Sequence, residues 1–178
     1  MKLIQTNKKE LLIGLIGDTH IPSRVSEIPK NIINDFMDKN VDYLIHLGDF
    51  DVTEVYKNLQ KTFGEDKVIA IHGNMDNREI KKLLPPNMKL ELYGYKIFIT
   101  HGTGGPNNII QNLNKMFDLT EYDIIIFGHI HHPVSEKWTD GKYYICPGTP
   151  TDKIFTKINS YGFLRISHEK IEPEIIYV

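Results

Sequence analysis

Leu11 to His20 reads LLIGLIGDTH. Apolar residues and glycine run unbroken as far as Gly17, and then an Asp and a His arrive two positions apart. A run of this length, bounded by polar residues, predicts a buried strand of a sheet covered on both faces. The event recurs down the chain. Tyr43–Asp49 (YLIHLGD) stops at an Asp, and Val68–Asp76 (VIAIHGNMD) stops at an Asn and an Asp. Lys96–His101 (KIFITH) stops at a His, and Ile124–His131 (IIIFGHIH) stops at a pair of them. Each predicted strand therefore delivers a metal-capable side chain just past its carboxyl end, the edge at which layered α/β proteins gather their ligands. The reading is one shared metal site.

The elements between these strands set the class. A helix is expected from Ser23 or Ser26 as cap to about Lys39, with Pro29 in its first turn and Ile28, Ile32, Ile33 and Phe36 as its buried face. A second should begin at Asp51 or Thr53 and end at Gly64. Asn77–Leu84 reads as a short helix stopped by Pro85-Pro86, and Asn107 or Asn108 as the cap of a fourth helix running to about Phe117. Hairpins are expected around Tyr93-Gly94 and Asp140-Gly141, and Tyr161–Ser167 and Glu172–Tyr177 read as closing strands. The order is β-α-β-α-β-α followed mostly by strands. A doubly wound sheet would want more late helices, so two packed sheets with helices outside fit better.

At 178 residues the chain has the length of one domain, here residues 11–178, with 1–10 as a polar tail or added edge segment. The formal charge is −2, so no broad basic surface favours nucleic acid, whereas a small phosphate ester held by metals remains compatible. Cys146 is the one cysteine, which allows no internal disulfide and fits the cytoplasm. Neither a leader-like apolar stretch before the first strand nor a run of about 20 apolar residues is found, so neither a signal peptide nor a membrane span is expected.

The candidate metal ligands are Asp18, His20, Asp49, Asn74, His101, His129 and His131. In an extended segment, spacing by two puts Asp18 with His20, and His129 with His131, on a common face. Glycines at 17, 48, 73, 102 and 128 stand beside candidate ligands, where backbone must turn or approach closely. Mixed imidazole, carboxylate and amide oxygen suit divalent Mn, Fe, Co, Ni or Zn rather than a calcium cage or a thiolate site. Seven groups exceed one tetrahedral ion and match two divalent ions sharing a carboxylate, which can clamp a phosphoryl group.

These pieces resemble the calcineurin-like metallophosphoesterases, in particular their small YfcE/MJ0936-like phosphodiesterase branch. The matching motifs are DTH at Asp18–His20, GD at Gly48–Asp49, GNMD at Gly73–Asp76, THG at Thr100–Gly102 and GHIH at Gly128–His131. CPGTP at Cys146–Pro150 is similar to an NPGS-like family loop. The resemblance implies a four-layer α/β/β/α sandwich of two mixed sheets. It implies one metal on Asp18, His20 and His131, a second on Asn74, His101 and His129, and Asp49 bridging them, with Asp49, Asn74 and His101 catalytic. Manganese heads the expected metals, and a bridging hydroxide is the family's nucleophile toward a phosphodiester. Small relatives are often dimers or larger, so a homo-oligomer is also implied.

Two positions depart from the pattern. Many members carry a His after the Asn that helps protonate the leaving group, where this chain has Met75, and a thioether cannot donate a proton. Close members often read HGH where this chain has Thr103, whose hydroxyl is a candidate hydrogen-bond donor to a phosphate oxygen. A related branch, the Vps29-like retromer subunits, uses the fold as a protein-binding scaffold with an eroded metal site, which leaves a scaffold and a metal-dependent nuclease as alternatives to a phosphodiesterase.

Other residues divide between structural and functional readings. His46 and His72 fall inside predicted strands and read as core histidines or as supports for a ligand loop. Asp76 reads as a brace for the Asn74 loop. Arg24 is a candidate either for the substrate phosphate or for an acidic side chain, and His132 either for surface or for substrate contact. His168 reads as surface, and Cys146 as a small buried apolar group.

Overall fold

The computed structural model describes residues 1–178 and contains two mixed sheets face to face. The first five-stranded sheet is built on β2 (Glu10–Ile16), β3 (Tyr43–His46) and β4 (Val68–Ala70), which are mutually parallel. β10 (Ser160–Ser167) lies antiparallel to β2, and β11 (Ile171–Tyr177) antiparallel to β10. The second sheet has six strands, in the order β1-β5-β6-β7-β9-β8. Its centre is β6 (Tyr95–Thr100), β7 (Ile124–Phe127) and β9 (Tyr143–Pro147), all parallel. β5 (Asn87–Leu92) and β8 (Pro133–Lys137) flank that centre as antiparallel partners. At the N-terminus, β1 (Lys2–Leu3) pairs parallel with β5, so the first residues form an added edge of this sheet.

Alternation of side chains along each strand builds the layers. Ile13 and Leu15 of β2, Ile45 of β3, Ile97 and Ile99 of β6, and Ile124 and Ile126 of β7 point between the sheets and form one apolar cluster. The opposite faces go to the helices. Ile16, Leu44 and Phe163 pack on α1 (Lys30–Asp38), α2 (Thr53–Phe63) and α3 (Arg78–Leu83) through Ile32, Phe36, Val55, Leu59 and Ile80. Phe98, Ile125 and Phe127 pack on α4 (Ile109–Met116) through Ile109, Ile110 and Leu113. The result is the four-layer α/β/β/α sandwich, with helices on both outer faces.

Helix starts differ from expectation. α1 begins at Lys30 with Pro29 as its N-cap and no side-chain cap, not at Ser23 or Ser26. The Ser23 hydroxyl instead faces the His20 carbonyl and the Asp51 carboxylate, so it is drawn into the site. α4 follows a short 3-10 turn at Pro106–Asn108 and likewise lacks a side-chain cap. Asn77 does cap α3, accepting from the N–H groups of Glu79 and Ile80.

Candidate metal centre

The carboxyl ends of β2, β3 and β4 in one sheet and of β6 and β7 in the other open onto the same edge of the sandwich, and the seven candidate ligands meet there. His20 Nε2 lies 3.2 Å from His131 Nε2, which in turn lies 3.4 Å from Asp18 Oδ1. On the other side, Asn74 Oδ1 is 3.1 Å from His101 Nε2 and 3.0 Å from His129 Nδ1. Asp49 stands between the groups, its Oδ2 3.3 Å from His101 Nε2 and 3.7 Å from His20 Nε2. Asp18, Asp49 and His101, like Asp18, His20 and His131, offer ligand atoms all within 4.8 Å of one another.

Tautomers decide what this cluster wants. His20 Nδ1 faces Asp51 Oδ1 at 3.1 Å, and His131 Nδ1 is hydrogen-bonded to Asp152. A carboxylate only accepts, so each Nδ1 carries the hydrogen. The two Nε2 atoms, in neutral rings, then oppose lone pair to lone pair at 3.2 Å. His101 donates Nδ1–H to the Leu47 carbonyl at 2.7 Å, turning its Nε2 lone pair toward the Asp49 and Asn74 oxygens. Acceptors facing acceptors in a buried site need positive charge between them, as protons or as a cation. The residues present fit divalent metal.

The backbone is bent to achieve this. Asp18, His20, Asp49, His129 and His131 all adopt positive φ, between 46° and 74°. Spacing by two therefore works through left-handed turns, not through the extended segment that the sequence suggests. Such φ values are strained for residues with a Cβ and persist where surrounding contacts over-determine them. Those contacts are plain. Asp76 accepts from the N–H groups of Asp49, Phe50, Asp51 and Gly73, tying the Asp49 loop to the Asn74 loop. Thr149 and Thr151, in the loop after β9, donate to the carbonyls of Asp18 and Thr19. At Gly73 a Cβ would lie 2.1 Å from Asp49 Oδ1, so the close approach excludes any side chain.

Charge follows from this packing. Burial alone would lower His101, yet the Asp49 and Asp18 carboxylates override it and raise the imidazole to about 9. Burial would raise Asp49, but His101 beside it brings the carboxyl below its usual range. Metal-stripped protein therefore holds a proton on His101 at neutral pH, which a metal must displace. Affinity for Mn or Zn is expected to climb by about tenfold per pH unit for this proton, levelling near the His101 value. Chelator-competition titrations across that range check it, and a pH-independent affinity would contradict it. The same raised value stabilises the metal-stripped fold fully below 6.5, a contribution lost as pH rises through about 9.

The supporting residues sort clearly. His46 is fully buried and stacked on Phe50 at 3.5 Å; it takes the Gly48 N–H on Nδ1 and bonds Thr19 through Nε2. Burial holds it well below its ordinary value, so it is a neutral brace for the Asp18 and Asp49 turns. His72 lies past the end of β4, not within it, and turns its Nδ1 to the Gly73 carbonyl. Arg24 pairs through Nε with Asp152 Oδ1 at 3.4 Å and also lines the cavity in front of the ligands. His132 lines that cavity as well. Thr103 does not: Gly104 and Pro106 of the same loop form the wall, and Thr103 is exposed outside it. Cys146 is buried, and burial raises its thiol, so it is unreactive packing.

Two carboxylates escaped the sequence reading. Asp51 stood there only as a possible helix start, and Asp152 was given no role. Each fixes a histidine through the ring nitrogen that faces away from the cluster. Replacing Asp152 by Asn is expected to weaken metal affinity about 10- to 100-fold through loss of His131 alignment, as metal titration of the variant would read. Unchanged affinity would remove Asp152 from this role.

Residues 11–169 match the model of the calcineurin-like phosphoesterase superfamily domain. A probable metallophosphoesterase of Methanothermobacter thermautotrophicus is 33% identical over 166 residues, covering 93% of this chain and 92% of that one. Among solved structures, one described as a novel archaeal phosphodiesterase is 29% identical, with a TM-score of 0.74 over 94% of this chain and all of that chain. Vps29 of Entamoeba histolytica, solved with zinc, has the same TM-score of 0.74 at 20% identity, covering 94% of this chain and 99% of its own. That last likeness concerns the fold alone.

Proposed function

The chain belongs to the calcineurin-like phosphoesterase superfamily, and on that premise we propose that it is a dinuclear-metal phosphodiesterase acting on small phosphate esters. Residues 11–178 are its single catalytic domain. The observation that carries the reading is the double cluster of opposed acceptors straddled by Asp49. Asp18, His20 and His131 would hold one divalent transition ion, and Asn74, His101 and His129 the other. Manganese is the first candidate; nickel, iron, cobalt and zinc suit the same donors. Bound there, such ions polarise phosphoryl oxygens and make water a nucleophile at neutral pH.

The chain's own groups do the rest. Asp51, Asp152 and the Leu47 carbonyl hold three imidazoles with their lone pairs inward. Met75 N–H fixes Asp49 Oδ1 at 2.8 Å. Arg24 brings a permanent positive charge to the cavity wall, where an anionic diester would enter. The cavity, about 540 Å³, suits a small ester rather than a polymer groove. No helix is long and apolar enough to cross a membrane.

The test is hydrolysis by metal-stripped protein reloaded with Mn, Ni or Zn, on matched aryl monoesters and diesters. Metal-dependent turnover favouring the diester is expected. Stoichiometric metal binding without hydrolysis of either ester would turn the reading toward a scaffold.

A further inference from the structure

The cavity is larger than a phosphoryl group needs and lies within the range of pockets that enclose drug-sized ligands. Its lip carries an unusual residue. Phe155 is 66% exposed, yet it lines the cavity beside His131 and Arg24. Its backbone is anchored. The Asp152 carboxylate accepts the N–H groups of Ile154 at 2.8 Å and Phe155 at 3.1 Å, and Asn159 donates to the Asp152 carbonyl at 2.6 Å. The ring stands edge-on to His131, with centroids 5.7 Å apart, and the Arg24 guanidinium carbon lies 5.7 Å from its centroid. The buried Nε of Arg24 has no hydrogen-bond partner and only an ion-pair contact with Asp152 Oδ1 at 3.4 Å. A large apolar ring held in place at a cavity mouth gives a ligand stacking area at little entropic cost.

Resting on the phosphodiesterase reading, we propose that the substituent retained on phosphorus carries a planar aromatic ring, which packs on Phe155 while Arg24 faces the adjoining phosphate. The ring belongs to an aryl ester or to a nucleoside. Both offer the same flat face, and aromatic stacking tolerates either.

The experiment holds the leaving group constant. Mn-loaded protein is assayed on the methyl, phenyl and thymidine-5′ esters of p-nitrophenyl phosphate. The phenyl and thymidine esters should exceed the methyl ester in kcat/KM by about tenfold, the scale of one stacked ring. Phe155→Ala should collapse that ratio toward one, and Phe155→Leu should keep only part of it. The higher of the two aromatic esters identifies the source. Equal kcat/KM for all three in the wild type would overturn the aromatic subsite and leave the phosphodiesterase reading standing. An undiminished ratio in Phe155→Ala would overturn it as well. No turnover of any ester above the metal-stripped control would remove both readings together.

Discussion

Asp49→Asn is expected to lower diester hydrolysis by at least about a thousandfold, the rate equivalent of several kcal/mol of lost charge stabilisation. The reasoning is geometric. Asp49 is 2% exposed and comes near both halves of the cluster, through His101 at 3.3 Å and His20 at 3.7 Å. Asn keeps the size and can still accept the Met75 N–H, so the loop should hold. What disappears is the negative charge that both halves share. The folded state loses one buried carboxylate and its attraction to a protonated His101. Thermal melting of the metal-stripped variant should thus move modestly, while metal content and turnover fall together. A variant retaining more than about a tenth of the wild-type rate, with both ions bound, would show that the shared carboxylate is not what organises the reaction.

The parts of the molecule that were legible in sequence are those set by local pattern. Leu11–Ile16, Tyr43–His46 and Ile124–Phe127 are strands because apolar runs buried on both faces have no other cheap conformation, and their polar endings mark the site's edge. The two-sheet architecture followed from the shortage of late helices. Hidden were the features that depend on partners far away in the chain. Asp152 meets His131 from 21 positions away, and the Thr149 hydroxyl reaches the Asp18 carbonyl across 131. Single Asp or Thr residues in loops look like turn or cap residues, because that is the commonest use of their short polar side chains. Left-handed φ at Asp18, His20, His129 and His131 was hidden for the same reason. Glycines beside the ligands were expected where the backbone turns or approaches closely, and both uses occur: Gly48 and Gly102 take positive φ, while Gly73 and Gly128 lie against the Asp49 and Asp18 carboxylates. Ser23 caps no helix because α1 starts only at Lys30, and its hydroxyl donates to Asp51 across the chain.

Met75→His should accelerate cleavage of diesters with alkyl leaving groups by about 100-fold or more, and barely change those losing p-nitrophenolate, because general acids contribute about 10²–10⁴ where the leaving group needs a proton. Most other proton donors around the cavity are committed. The His132 Nδ1 donates to the Ile130 carbonyl, Ser23 faces Asp51 and the His20 carbonyl, and Arg24 is paired with Asp152 and keeps its protons. Met75 lines the cavity with a 62% exposed side chain, while its backbone N–H is pinned to Asp49. Position 75 thus offers room, solvent and a fixed Cα next to the reacting centre, and it is where the family pattern places an imidazole. The new group should also write its ionisation into the rate, adding a falling limb above about pH 6.5 for alkyl esters, since only the imidazolium donates. Equal gains on alkyl and aryl esters would mean a general change in binding, and no gain on either would mean that the leaving group departs past another wall. A selective gain with that pH limb would instead identify proton delivery as the step in which this chain is deficient, with its metal-binding groups intact.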